Sequence, residues 1–266
     1  MTKRLKLLAG IIAFCGILST QAAQRIVSLT PSLTLSLRYL GEEANMVGCT
    51  SYCETTRSVP VVATAIKVNI EKVISVKPDL VITTSLTPPE SVSAMKKMGL
   101  RVEVFPMPHS YKEICEQFLK LGKLLGKETI AKKIVNDSRN KVQRLTANKM
   151  NAGKKVFIQI GANPIFAVIP NTFMHDYIQF SGATTITTGM TSGSITREAV
   201  LKRNPDVIFI VTMGILADEE KKLWENFPQL SATRTKNIFI IDSKIACTPT
   251  PVTFAQTLEI ICKNAK

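Results

Sequence analysis

Residues 71–82 read Glu-Lys-Val-Ile-Ser-Val-Lys-Pro-Asp-Leu-Val-Ile, and residues 198–209 read Glu-Ala-Val-Leu-Lys-Arg-Asn-Pro-Asp-Val-Ile-Phe. Each copy opens on a Glu, reaches Pro-Asp seven positions on, and runs into β-branched apolar residues. A carboxylate is stabilised in the first turn of a helix by the macrodipole. That helix must stop before the proline, and the apolar run suits a strand buried on both faces. A helix, a turn and a buried strand used twice, 127 residues apart, point to two similar α/β lobes. Each lobe would then present one exposed carboxylate, at Glu71 and at Glu198.

The order of signals along the chain repeats too. In the first half, Arg25–Leu29, Met46–Cys49, Leu80–Thr84 and Val102–Phe105 read as strands. Between them come helices: one ending at Gly41 with Ser32 or Thr34 as its cap, one opening on Glu71, and one from Pro88-Pro89-Glu90 to Gly99. Such alternation predicts a parallel sheet. Residues 111–150 carry no strand signal: Tyr111–Leu125 reads as one helix and Glu128 to about Lys149 as another, with Ile130, Ile134, Ser138, Val142 and Leu145 on one face. At 1.5 Å per residue the second helix would span roughly 30 Å, enough to join two lobes. After Gly153 the alternation resumes, with strands at 156–160, 166–169, 207–212 and 238–241. A helix capped by Asn171 or Thr172, the Glu198 helix, one at Glu219–Asn226 and a last at Phe254–Asn264 complete it. The expected fold is therefore two Rossmann-like α/β lobes, 24–125 and 155–266, joined by a single backbone helix at 127–151, with a cleft between them.

The first residues read as an export signal ending near Ala22: Lys3, Arg4 and Lys6, then an apolar stretch from Leu7 to Leu18, then Thr20-Gln21-Ala22 before the cut. Lipid anchoring at Cys15 is the competing reading, and the bulky Phe14 before it argues against a lipobox. The expected location is periplasmic or secreted. Beyond Cys15 there are five cysteines, Cys49, Cys53, Cys115, Cys247 and Cys262. They are too few to frame the fold, and their odd number leaves at least one thiol free. The chain carries a formal charge of +14, concentrated in residues 120–155, where eleven Lys or Arg face only Glu128 and Asp137. Without aromatic residues to stack on bases before Phe157, and with export expected, this stretch reads as a solvated helix face, not a nucleic-acid surface.

Five segments carry a family likeness: RIVSLTPS at 25–32, VGCTSYC at 47–53, NIEKVISVKPDLVI at 69–82, VFIQIGANPIF at 156–166 and SGSITREAVLKRNPDVIFI at 192–210. On these the chain resembles the class III periplasmic substrate-binding proteins of ABC importers, the receptors for vitamin B12, haem and ferric siderophores. It is most similar to the B12-binding branch. The resemblance implies an extracytoplasmic receptor that captures a corrinoid and delivers it to a permease dimer with its ATPase subunits. Haem or a ferric siderophore is the alternative cargo, and no catalytic cofactor is implied. It also implies that Glu71 and Glu198 dock on the permease. Each Glu alone is equally well read as a helix-dipole residue; the matched pair favours docking.

Ligand is expected in the inter-lobe cleft, from loops at strand ends. The expected residues are Pro31, Ser32, Ser51, Tyr52, Cys53, Leu86, His109, Asn163, Phe166, Ser194 and Cys247. Tyr52 and Phe166 match family positions that pack on the corrinoid, whereas Ile66 and Leu86 stand where that branch carries aromatics. The sole tryptophan, Trp224, is expected on an outer helix. His109, Cys53 and Cys247 are donors that could reach a haem iron, a corrinoid cobalt or a bare ion. Equally, His109 could serve the helix after it and Cys53 could pair with Cys49 or Cys247. No dedicated metal site is expected.

An enzyme, or a non-transport scaffold on the same fold, is the reading of a different class. Two histidines give acid–base chemistry little to draw on, and neither a Gly-x-Gly-x-x-Gly nor a phosphate loop occurs. Thr191-Ser192-Gly193-Ser194 lacks nucleophile-elbow spacing.

Overall fold

The computed structural model describes residues 25–64, 67–147, 149–212 and 216–264. The expected leader, Cys15 and Ile66 lie outside them. In the first lobe, β1 (Ile26–Ser28), β2 (Met46–Thr50), β3 (Val61–Ala63), β4 (Leu80–Thr84) and β5 (Val102–Phe105) form one sheet in the order β3-β2-β1-β4-β5. Every pairing in it is parallel. β1 and β4 are buried at every position, as a parallel sheet with covered faces requires. Its helices are α1 (Pro31–Tyr39), α2 (Ile70–Ser75), α3 (Pro89–Lys97) and α4 (Tyr111–Leu124).

After α5 (Glu128–Ala147) the second lobe follows. Its strands are β6 (Lys155–Ala162), β7 (Ile165–Ala167), β8 (Thr184–Thr185), β9 (Val207–Val211) and β10 (Ile238–Ile241), in the order β10-β9-β6-β7 with β8 also on β6. Its helices are α6 (Phe173–Phe180), α7 (Arg197–Arg203), α8 (Ala217–Glu225), α9 (Ser231–Arg234), α10 (Ser243–Ala246) and α11 (Pro251–Asn264). Two parallel-sheet lobes are thus present, as expected. One departure is β7, which returns antiparallel to β6 through a tight hairpin. Two residues separate these strands, too short a link for the crossover a parallel pair needs.

The duplicated block has one geometry in both lobes. Asn69 and Thr196 are N-caps whose side chains accept from the N–H of Lys72 and Ala199, contacts worth about 1 kcal/mol each. Glu71 and Glu198 therefore occupy the same second helical position, and both are exposed. Val73 and Val200 are fully buried beneath them. The residue before the proline, Lys77 or Asn204, turns left-handed at φ 46° in both copies. The Pro-Asp carboxylates then accept from the backbone at the head of each lobe's first strand, β1 and β6. Asp79 takes the N–H of Arg25 at 3.1 Å, and Asp206 that of Lys155 at 2.8 Å. In return the N–H groups of Asp79 and Asp206 donate to the carbonyls of Arg25 and Lys155, both at 2.8 Å.

α5 buries Ala131, Val135, Ser138 and Val142 on one stripe and packs between α4 and α11. Gly122 permits the close approach of α4: a Cβ there would meet the Ala131 Cβ at 2.4 Å. The lobes share one continuous core along this seam. Phe254 on α11 stacks on Tyr111 of α4 at 4.4 Å between ring centroids and on Tyr177 of α6 at 4.6 Å. The Tyr111 hydroxyl is 2.7 Å from Ser138 Oγ on α5. Part of the basic excess of residues 120–155 is neutralised locally: Lys120 pairs with Glu103, Lys127 with Glu42, and Lys141 with Glu259.

Two expectations need correction. α1 starts at Pro31 with Thr30 as its N-cap residue, so Ser32 and Thr34 lie inside the helix and cap nothing. Proline suits the first helical position because its missing N–H would have no partner there. Trp224 lies on a helix, α8, and its side chain turns inward: it is fully buried in the second core, with its indole N–H donating to Gln159 Oε1 at 2.7 Å. The cysteines form no disulfide, since all five described ones are free.

Candidate functional site

In an open parallel sheet, ligands bind beyond the carboxyl ends of the strands, at the point where strand order reverses. Here β1 is that point, with β2 on one side and β4 on the other. A cavity of about 580 Å³ lies there, lined from both lobes. The turn after β1 supplies Pro31 and Ser32, the loop after β2 supplies Ser51, Tyr52 and Cys53, and the loop after β4 supplies Leu86. Cys247 closes it from the second lobe, at the end of α10. Tyr52 and Leu86 are 66% and 71% exposed. Large apolar side chains left in the open around a concavity mark a binding surface more often than chance exposure does.

Asn163, Phe166 and Ser194 do not line this cavity. The β6–β7 hairpin brings them together at the carboxyl end of β6, where Phe166 and Ser194 form an antiparallel bridge. Gly193 makes room for the ring, because a Cβ there would come within 2.5 Å of Phe166 Cε1. The Phe166 side chain is 44% exposed and so is not ordinary core. His109 is placed apart from both groups. Its backbone N–H donates to Glu113 Oε2 at 2.8 Å, while the Ser110 hydroxyl accepts the N–H of Glu113, in the manner of a capping box. Its Nδ1 lies 3.2 Å from the carbonyl oxygen of Asn171 in the second lobe. That carbonyl only accepts, so Nδ1 carries the proton, and the ring ties the lobes together.

Several cavity residues have no signal in the sequence. Arg38 on α1, Met107 after β5, and Glu54 and Lys244 on opposite walls all line it. Lys244 Nζ is 2.5 Å from Glu54 Oε1, an ion pair that crosses from one lobe to the other. Beyond it lies a second concavity of about 450 Å³ sharing Leu35 and Arg38. Among the described residues, no three His, Cys, Asp or Glu side chains gather where they could hold a metal ion.

Cys53 has the most unusual electrostatics of the site. Its sulfur lies 3.1 Å from Thr34 Oγ1 and 3.2 Å from Thr50 Oγ1. A hydrogen bond from the Cys49 thiol, supported by both threonine hydroxyls, outweighs partial burial and lowers its pKa to about 6. Cys49 shifts upward, because its proton is held against the neighbouring sulfur and it is buried. Cys247 is pushed up to about 11 by burial and by the nearby Asp242 carboxylate. Cys53 is therefore the more readily ionised of the two cavity thiols. The thiolate population favours Cys53 over Cys247 by about four orders of magnitude, and the weaker nucleophilicity of an acidic thiol takes back about two. Iodoacetamide at pH 7 is therefore expected to modify Cys53 ~10²-fold faster than Cys247, read by peptide mass spectrometry. Equal rates would remove the thiolate assignment.

Residues 26–245 match the family model described as periplasmic binding protein. An ABC transporter substrate-binding lipoprotein of Bacillus subtilis is 28% identical over 231 residues, covering 82% of this chain and 73% of that protein. A vitamin B12-binding protein of Photorhabdus laumondii is 26% identical over 220 residues, covering 79% and 78% of the two chains. Among solved structures, the periplasmic vitamin B12-binding protein of Vibrio cholerae superimposes with a TM-score of 0.78 at 22% identity, covering 92% of this chain and 97% of that one. The periplasmic haem-binding protein of the same species does so with a TM-score of 0.81 at 19% identity, covering 90% and 98%. No described helix is long and apolar enough to cross a membrane.

Proposed function

The chain belongs to the periplasmic binding protein family, and from that premise we propose that it is the extracytoplasmic substrate-binding component of an ABC importer whose cargo is a corrinoid. The observation that carries the reading is the cavity between the lobes, built from the loops at the carboxyl ends of two parallel sheets. Its volume of about 580 Å³ falls in the range of single small-molecule sites, about 300–1,000 Å³. Tyr52 and Leu86 offer apolar surface to a flat macrocycle, and the phenol hydroxyl of Tyr52 can meet peripheral amides. From the second lobe Lys244, Cys247 and Thr248 complete the lining. Likeness to vitamin B12-binding relatives supports the corrinoid over other cargoes.

Delivery requires a surface that a permease dimer can read. Glu71 and Glu198 serve as its two posts, since they are exposed, equivalent in position and carried on capped helices. α5, with its seam of shared core, holds the lobes with little relative freedom, so capture proceeds with small domain motion.

Calorimetric titration of the purified protein with cyanocobalamin, ferric haem and ferric siderophores tests the cargo. One cobamide is expected to bind per chain and to be recovered chemically unchanged. Failure to bind any cobamide at micromolar concentration would exclude the corrinoid reading, and haem or a siderophore binding in its place would name the alternative. Turnover of the bound molecule would move the chain to the enzyme class.

A further inference from the structure

We propose that the solvent face of α5 is a docking surface for anionic phospholipid headgroups, an inference that rests on the extracytoplasmic reading above. Charge is distributed unevenly along this chain. Residues 25–125 hold twelve Lys or Arg against nine Asp or Glu, and residues 156–266 hold ten against nine. Residues 126–155 hold nine against Glu128 and Asp137 alone. Both lobes are thus close to neutral, and the spacer between them carries most of the net positive charge. Charge that serves solubility is best interspersed in sign over the whole surface. A single-sign field confined to one element instead draws anionic partners to that element.

The fold turns this excess outward. α5 sets Ala131, Val135, Ser138 and Val142 against α4 and α11, and its opposite face is in solvent. At 3.6 residues per turn, Lys132 and Arg139 lie along one edge of that face and Lys133 and Arg144 along the other. All four are exposed, as are Asn136, Asn140 and Gln143 between them. Lys127 and Lys141 pair with Glu42 and Glu259 at the flanks. Lys132 and Arg144 enter no salt bridge among the described residues. Lys133 meets Asp137 at 2.8 Å, but both side chains are largely in water, and a pair so exposed holds its cation only weakly. Glu128 sits in the first turn, where the helix dipole favours it. The face is therefore a strip about 30 Å long, with cations on both edges and amides along the middle. Phosphodiester headgroups match it: phosphate charge meets the cations, and phosphate oxygens accept from the amide N–H groups. Fields fade within about 8 Å at physiological salt, so only an extended anionic surface reaches all four cations at once. Residues 126–155 contain no aromatic side chain to stack on bases, and outside the cytoplasm the extended anionic surface is the membrane.

Vesicle cosedimentation of the purified protein tests the surface. Binding is expected to vesicles of equal parts phosphatidylglycerol and phosphatidylcholine, not to phosphatidylcholine alone, and should be lost at about 0.5 M salt. Each Lys or Arg held at an anionic membrane raises partitioning about fivefold. The triple variant Lys132→Gln, Lys133→Gln, Arg144→Gln should therefore bind about 100-fold more weakly. A control that removes the same charge from exposed positions on the lobes, Lys96→Gln, Lys97→Gln, Lys222→Gln, should change binding less than about threefold. Both variants keep residues 1–24, so any contribution from that segment is common to all three proteins. Glutamine forms helix nearly as well as lysine or arginine, and an unchanged melting temperature verifies the fold. Equal losses in the two variants would make the attraction a property of overall charge and overturn the proposal. Equal binding to both vesicle types, or none to the phosphatidylglycerol vesicles at low salt, would do the same. Duplex DNA bound in preference to the vesicles, and released by the same triple variant, would assign the face to nucleic acid instead. Cargo affinity is read separately, by calorimetry without vesicles, so loss of the lipid surface leaves the receptor reading standing.

Discussion

Reversing the charge at Glu71 and Glu198 together, as Glu71→Lys with Glu198→Lys, is expected to abolish cellular uptake of the cargo while calorimetric affinity for it stays unchanged. Both carboxylates are exposed, and neither takes part in an ion pair among the described residues. The carboxyl of Glu198 is held below the usual range by its own backbone N–H and by Thr196, so it stays ionised through mildly acidic surroundings. Lysine in the first turn of each helix forfeits the dipole contribution, about 0.3–1 kcal/mol per site, too little to unfold a lobe. A carboxylate post calls for a cation on the permease, and a lysine set against that cation costs several kcal/mol at each of two posts, so the double variant should lose uptake outright and each single variant only part of it. Uptake measured with radiolabelled cargo, beside calorimetry on the purified variants, separates the effects. Uptake that survives the double reversal would remove docking from these residues. A parallel loss of affinity would assign them to the cleft.

Phe254→Ala is expected to be the most destabilising single truncation at the seam, costing about 3–5 kcal/mol. The ring is fully buried, stacks on Tyr111 and Tyr177 and meets Phe180 edge-on at 5.8 Å between centroids. Its loss leaves a cavity where α4, α6 and α11 converge, and a frame containing α5 on one side has little means to collapse into it. For a chain of this size the corresponding fall in melting temperature is on the order of 10 °C. Phe254→Leu keeps most of the volume and should cost clearly less. Chemical denaturation of both variants checks the ranking. A Phe254→Ala penalty under about 1 kcal/mol would mean that the seam is not the shared core described above.

How much of this was legible in the sequence follows from the range of the interactions involved. β4, β5, β9 and β10 are short β-branched or apolar runs between turn residues, and local pattern is enough to find them. α5 announces itself through a stripe of three- and four-residue steps. β3, β8, α9 and α10 span two to four residues each, too few for any period to register. The reversal of β7 depends on a hairpin whose partner strand must already be in place. Cys53 stood out as a cleft donor, yet its ionisation did not, because Thr34 lies nineteen residues away and reaches the sulfur only after α1 folds. The same limit hides the Glu54–Lys244 pair and the Tyr111–Phe254 stack, which join distant segments across the lobes. His109 was weighed as a metal donor on its loop position alone. Its partner Asn171, sixty-two residues on, carries no sign in the sequence that it would meet that ring.

The Pro-Asp of the duplicated block turned out to be a fastener. Asp79 and Asp206 each exchange two hydrogen bonds with the residue that heads the lobe's first strand, within eight residues of the exposed Glu. Mechanically, each Glu is then a handle riveted to a beam. A pull on either carboxylate passes through one short helix and one left-handed turn into the amino end of β1 or β6, and so reaches a sheet whose carboxyl end faces the cleft. With α5 packed between α4 and α11 as the spacer, the two carboxylates are held at a separation that the fold itself sets.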